Sequence, residues 1–158
     1  MKTSIFATSI LLYLSVSPAS AFDKLPKTAK PMAAADIAKA YSGKTITWDD
    51  GLMYWGPDGK VIGVTSKGDA IADGTWDAAD GKICYHASWL GIKPTDKPYP
   101  LNNCFGYLID GKRIFHNFTS DKMKSDTGWW GGPSDLTKLK SGNTIQAKYD
   151  AVKTKMPK

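Results

Sequence analysis

Cysteine and histidine are scarce in this chain, with two of each among 158 residues. Cys84 and Cys104 do not form a C-x-x-C pair and have no histidine at ligand spacing, which argues against a metal centre or a redox dithiol. G-x-S-x-G, H-E-x-x-H and phosphate-cradling glycine loops are missing too, so no nucleophile elbow, zincin site or nucleotide site is indicated. No cofactor and no metal are expected. The basic residues form no stripe and match no recognised module, which argues against nucleic-acid binding. Beyond residue 21 no apolar run approaches the ~20 residues that span a bilayer, so no integral membrane segment is expected.

The long apolar run is at the start, Ile5 to Val16, after Lys2 and before Ala19-Ser20-Ala21. A positive start, an apolar stretch and a small-x-small site describe a secretory signal peptide over residues 1–21. No cysteine stands at the cleavage point, so no lipid anchor is indicated. Residues 22–158 are expected to form a single β-barrel-like domain, periplasmic or secreted. The formal charge of +6 favours anionic partners such as acidic glycans, phospholipid headgroups or envelope polymers. Because the lysines are scattered rather than clustered, simple solubility is the preferred reading of that charge. In an oxidising compartment Cys84 and Cys104 are expected to pair, closing a loop of about 20 residues worth about 3 kcal/mol.

Pro31 to Tyr41 reads as a helix, with alanines to propagate it and Ser42-Gly43 to stop it. Ile37 and Tyr41 fall on one face, which would cap the end of a sheet. After Gly43 the texture changes to short aromatic and β-branched runs. Asp-Gly occurs at 50–51, 58–59, 73–74, 80–81 and 110–111, a strong hairpin signal. Strands are expected near 44–48, 52–56, 60–65, 70–77, 82–89, 101–109, 112–119 and 143–150. The fold class is therefore mainly β: one antiparallel meander of about eight strands closing as a small barrel, with one short N-terminal helix.

A turn at Asp110-Gly111 would pair Ile109 with Lys112, Tyr107 with Ile114 and Phe105 with His116. Phe105, Tyr107, Ile109, Ile114, His116 and Phe118 then share an apolar face. Cys84, Cys104 and His86 lie on the other face, so the two histidines should not meet.

His116, among aromatics, could anchor a ligand or accept a proton, or it could be a core histidine satisfied by a neighbour. His86 reads as a half-exposed strand residue. Asp49-Asp50 and the Asp77–Asp80 pair read as turn chemistry rather than catalytic carboxylates. Asn117-Phe118-Thr119 matches a glycosylation acceptor but falls inside an expected strand. The loop from Lys122 to Gly142 is long for a compact domain. Its Trp129-Trp130 pair would offer a platform for sugar rings or a partner protein, or would fold back to plug the barrel end.

Tyr41-Ser-Gly-Lys-Thr-Ile-Thr-Trp48, Tyr54-Trp-Gly-Pro-Asp-Gly59, Gly74-Thr-Trp76 and Lys82-Ile-Cys84-Tyr85 follow one another in order. This series resembles a family of small secreted alphaproteobacterial proteins classed as a domain of unknown function, over roughly residues 30–150. The resemblance implies no catalytic residue. Gly74-Thr-Trp76 also resembles the Gly-x-Trp of lipocalin-like barrels, an analogy of architecture alone.

The expected function is that of an exported, non-enzymatic envelope binding protein. Its ligand would be a glycan, lipid or other small amphipathic or anionic molecule, held at a mouth lined by Trp89, Tyr107, His116, Trp129 and Trp130. The alternatives are an inhibitor or interaction factor for an envelope protein, and an envelope-directed hydrolase.

Overall fold

The computed structural model describes residues 22–120, 128–132 and 134–156. The expected signal peptide, and residues 122–127 and 133 of the long loop, lie outside the described residues. The fold is mainly β, with ten strands in one antiparallel sheet and two helices among the described residues. The strands are β1 (Lys30–Pro31), β2 (Lys44–Thr47), β3 (Gly51–Trp55), β4 (Lys60–Thr65) and β5 (Ala70–Ala79). Next come β6 (Lys82–Gly91), β7 (Tyr99–Asp110), β8 (Arg113–Ser120), β9 (Trp130–Gly131) and β10 (Lys140–Ser141). Strands β2 to β8 pair in chain order, as a meander joined by short turns should.

The expected barrel does not close. The hydrogen-bonded order ends at β10 beside β2 and at β9 beside β8. Those edges belong to one connection, because the chain leaves β9, makes a 3-10 turn at Asp135–Lys138 and arrives at β10. Leu136 and Leu139 of that connection pack against the core, and Asp135 accepts a hydrogen bond from Trp48 Nε1 just beyond β2 (3.2 Å). Side chains rather than a strand ladder therefore join the two edges.

Helix α1 (Ala34–Tyr41) lies within the stretch expected to be helical. It starts later than expected because Pro31 instead pairs with Leu108 in β1, an edge position where a missing N–H is tolerated. Ala33 gives α1 no side-chain cap, and the carboxylate of Asp80 accepts the Ala34 N–H instead (2.9 Å). Ile37 and Tyr41 are fully buried, so α1 closes one end of the concave face of the sheet.

The helix count needs correction, since the chain has a second, C-terminal helix. The expected strand at 143–150 is replaced by α2 (Gln146–Lys153). Ile145, Tyr149 and Val152 stand at i, i+4 and i+7 and are all buried against Val64 and Ile71 on the convex face. Gln146 donates to Asp150 one turn on (2.9 Å), and Tyr149 donates to the Asp73 carboxylate of β5 (2.6 Å). The helical period of the apolar residues outweighed the apparent alternation.

Two turn details also differ. Asp73-Gly74 is no turn but lies inside β5, where Gly74 lets β6 approach; a Cβ there would strike the His86 carbonyl oxygen. The β7–β8 turn pairs Asp110 with Arg113, so Tyr107 faces His116 and Phe105 faces Phe118. That register is offset by two residues from the expected one, and an even offset keeps every side chain on its face. Gly111 takes φ 59° to make this turn.

Cys84 and Cys104 are direct partners across β6 and β7 and form a disulfide, with their Cα atoms 4.1 Å apart. The disulfide lies on the face opposite Ile83, Tyr85, Phe105 and Tyr107, as alternation requires.

Candidate ligand cavity

The concave face is built from alternate residues of seven strands. Ile46, Met53, Trp55, Val61, Ala72, Ile83, Tyr85, Ala87, Phe105 and Tyr107 form its buried core with α1. α1 fills one end of this face, and the other end stays open. Between them lies a cavity of about 610 Å³, within the usual range for small-molecule sites. Tyr99, 52 % exposed, stands at its rim.

Small residues make the room. Gly63 and Ala72 are direct partners on β4 and β5, and Gly51 on β3 lies diagonally across from Gly63, where larger side chains would fill the concavity. The indole of Trp89 lies across them, close enough that a Cβ on Gly63 would approach its Cη2 to 3.0 Å. Opposite, Phe105 holds the aromatic wall together. It stacks nearly parallel to Trp48 (centroids 6.0 Å, 12°) and packs on Phe118 (5.3 Å) and Tyr85 (6.3 Å).

A few polar groups interrupt this lining. Asn103, 6 % exposed, donates from its amide to the Tyr85 hydroxyl (2.5 Å). Its Oδ1 is buried and has no hydrogen-bond partner among the described residues, and the same is true of His116 Nδ1. The carboxylate of Asp135 faces the same space, held by Trp48 Nε1 and by Lys138 (3.1 Å), and Asp50 stands at the edge. Burial lowers the His116 pKa from 6.5, an effect that Asp135 partly offsets. The ring is therefore neutral at pH 7, with one donor and one acceptor nitrogen. At the α1 end, the hydroxyls of Tyr41 and Tyr107 share a buried hydrogen bond (2.6 Å). Burial raises both phenols above 10.0 and keeps them protonated.

Of the residues expected at the site, Trp89, Tyr107 and His116 come together in the cavity lining. Trp129 and Trp130 do not line it. Both are half-buried, and as neighbours in an extended segment they go to opposite faces. Trp130 pairs with His116 across β8 and β9 and packs against Phe22 (5.1 Å), whereas Trp129 covers Gly106 on the far side of β7. They form no shared platform. His86 is on the disulfide face, with Nδ1 2.8 Å from Asn102 Oδ1, so the two histidines are separated as the alternation required. Trp48, Asn103, Phe105 and Asp135 were not anticipated in the lining. For Asn103 and Phe105 the signal was present, since both alternate with Tyr107 along β7. Asp135 carried none, because only tertiary packing brings its loop to the cavity.

No helix among the described residues is long and apolar enough to cross a membrane, and the disulfide is compatible with an extracytoplasmic location. No curated protein and no solved structure matches the chain. A family model does match, over residues 9–144, and the chain accordingly belongs to the family described as Protein of unknown function (DUF995).

Proposed function

We propose that this is an exported binding protein of the bacterial envelope or its surroundings, which holds a small, largely apolar molecule in the aromatic cavity. The observation that carries this reading is the cavity itself: about 610 Å³, walled by Trp48, Trp89, Phe105 and Phe118 and open at one end. A concave apolar space with a few buried polar groups is the usual form of a ligand site, and aromatic walls suit ring or chain ligands. The rival reading, an interaction factor working through a tryptophan platform, is less well supported because Trp129 and Trp130 are split between two faces.

A neutral hydrophobic dye such as Nile red tests the reading. Saturable one-to-one binding with a blue-shifted emission is expected. Leu101→Trp, which fills the cavity from β7, should abolish it while the far-ultraviolet circular dichroism stays unchanged. Dye binding that is non-saturable, or indifferent to Leu101→Trp in the folded variant, would overturn the proposal.

A further inference from the structure

Resting on the cavity reading, we infer that the ligand is an uncharged amphiphile whose hydroxyl or amide head hydrogen-bonds to Asn103. A carboxylate or phosphate head would fit poorly.

The first argument is the unpaired amide atom. Asn103 is more than nine-tenths buried, lines the cavity, and leaves Oδ1 without a partner among the described residues. A buried, unsatisfied acceptor costs free energy that a donor from a bound molecule would recover. With Oδ1 free, the incoming group must be a donor. If the amide were turned over, Nδ2 would be the free atom, and a hydroxyl would still serve because it both donates and accepts. An ionised carboxylate or phosphate has no proton to give Oδ1.

The second argument is charge. The Asp135 carboxylate faces the cavity and Asp50 stands at its edge, and no Lys or Arg is among the described lining residues. Lys138, the cation paired with Asp135 among the described residues, is an exposed side chain on the 3-10 turn. Moving an anionic head into this apolar space would cost desolvation and bring it toward like charge. The positive net charge of the chain is thus not expressed in the lining.

The third argument is the layout. Asn103 and Tyr107 are four residues apart on β7, about 13 Å at ordinary strand rise. Phe105 and Phe118 lie between them, and His116 pairs with Tyr107 at the far end. A polar station, an apolar band and a second neutral polar station suit an amphiphile with an apolar chain.

Twelve-carbon probes differing only in the head test the inference: dodecanol, monolauroylglycerol, dodecanoate and dodecyl phosphate. Each is titrated below its micelle concentration and followed by tryptophan fluorescence. The two neutral probes should bind at least tenfold more tightly than the two anions. Asn103→Leu should weaken neutral-probe binding by about tenfold, the usual worth of one buried hydrogen bond. Asp135→Asn should narrow the gap by strengthening dodecanoate binding. Anions that bind as tightly as the neutral probes would overturn the head-group inference and leave the cavity reading standing. Should Nile red and all four probes fail to bind, both fall together. The head-group comparison uses the unmodified protein, so it decides the matter even if Asn103→Leu does not fold.

Discussion

Trp89 lies against Gly63, two strands away across β5, so closely that its indole occupies the space a side chain there would need. This contact both shapes the cavity wall and locks the wall to the floor of the sheet. The same ring is in reach of Gly51 on β3 (3.9 Å to a Cβ), so one indole spans the strands from β6 to β3.

Gly63→Val should therefore push the Trp89 ring into the cavity. Overpacking of this kind costs about 1–3 kcal/mol, which a urea midpoint would register. Nile red affinity should fall in the same variant. Unchanged stability together with unchanged dye affinity would show that the indole is not held against Gly63.

The Tyr41–Tyr107 hydroxyl pair makes a separable prediction. Tyr107→Phe strands the buried Tyr41 hydroxyl and should cost about 1–3 kcal/mol, whereas Tyr41→Phe combined with Tyr107→Phe should recover part of that loss. Both phenols have folded pKa values raised above 10.0, so the folded state keeps protons that the unfolded chain gives up. Their contribution is complete below pH 10 and is lost progressively above it. Chemical denaturation between pH 8 and 11 should show a steeper alkaline fall in the wild type than in the double variant. Equal slopes would contradict this account.

His116 acts at the other end of the pH scale. Its folded pKa lies below 6.5, so the unfolded chain takes up a proton first as pH falls. Its contribution is present above pH 6.5 and is lost as the pH drops toward and through the folded value. Proton NMR should place the His116 ring titration below 6.5. His116→Asn should lessen the loss of stability between pH 7 and 5; a ring that titrates above 6.5 would refute the buried neutral imidazole.

Replacing both cysteines, by Cys84→Ser with Cys104→Ser, should lower stability by about 3 kcal/mol, as expected for a closed loop of about 20 residues. The disulfide is on the face away from the cavity, so the folded variant should bind Nile red with unchanged affinity. A large loss of affinity in that variant would mean that the disulfide shapes the cavity as well as the scaffold.

Much of the scaffold was legible in the residues. Seven of the expected strands stand close to where alternation and Asp-Gly turns put them, because period-two patterning and left-handed glycine turns are local properties. The Cys84–Cys104 pairing followed from two cysteines in a chain expected to be exported, and the opposed histidines from the same alternation, which survives an even change of register. Three long-range features were not legible. The segment at 146–153 carries both an apparent alternation and a helical apolar period, and packing of Ile145, Tyr149 and Val152 on the apolar patch at Val64 and Ile71 favours the helical one. Closure of the sheet depended on whether β9 and β10 would pair, and the connection between them instead packs Leu136 and Leu139 into the core. The Trp129-Trp130 pair, side by side in sequence, is divided by the alternation of the strand that begins there.

By itself, then, the sequence determined an antiparallel meander with one aromatic face, a disulfide on the other, and Tyr107 and His116 on the aromatic side. Those follow from side-chain period and turn chemistry, which act over a few residues. Only the tertiary structure decided that the aromatic face encloses an open cavity rather than a filled core. That outcome depends on where bulky and small side chains from distant strands meet. Gly51, Gly63 and Ala72 face Trp89 here, and Asn103 is left with an unpaired oxygen beside the space they create.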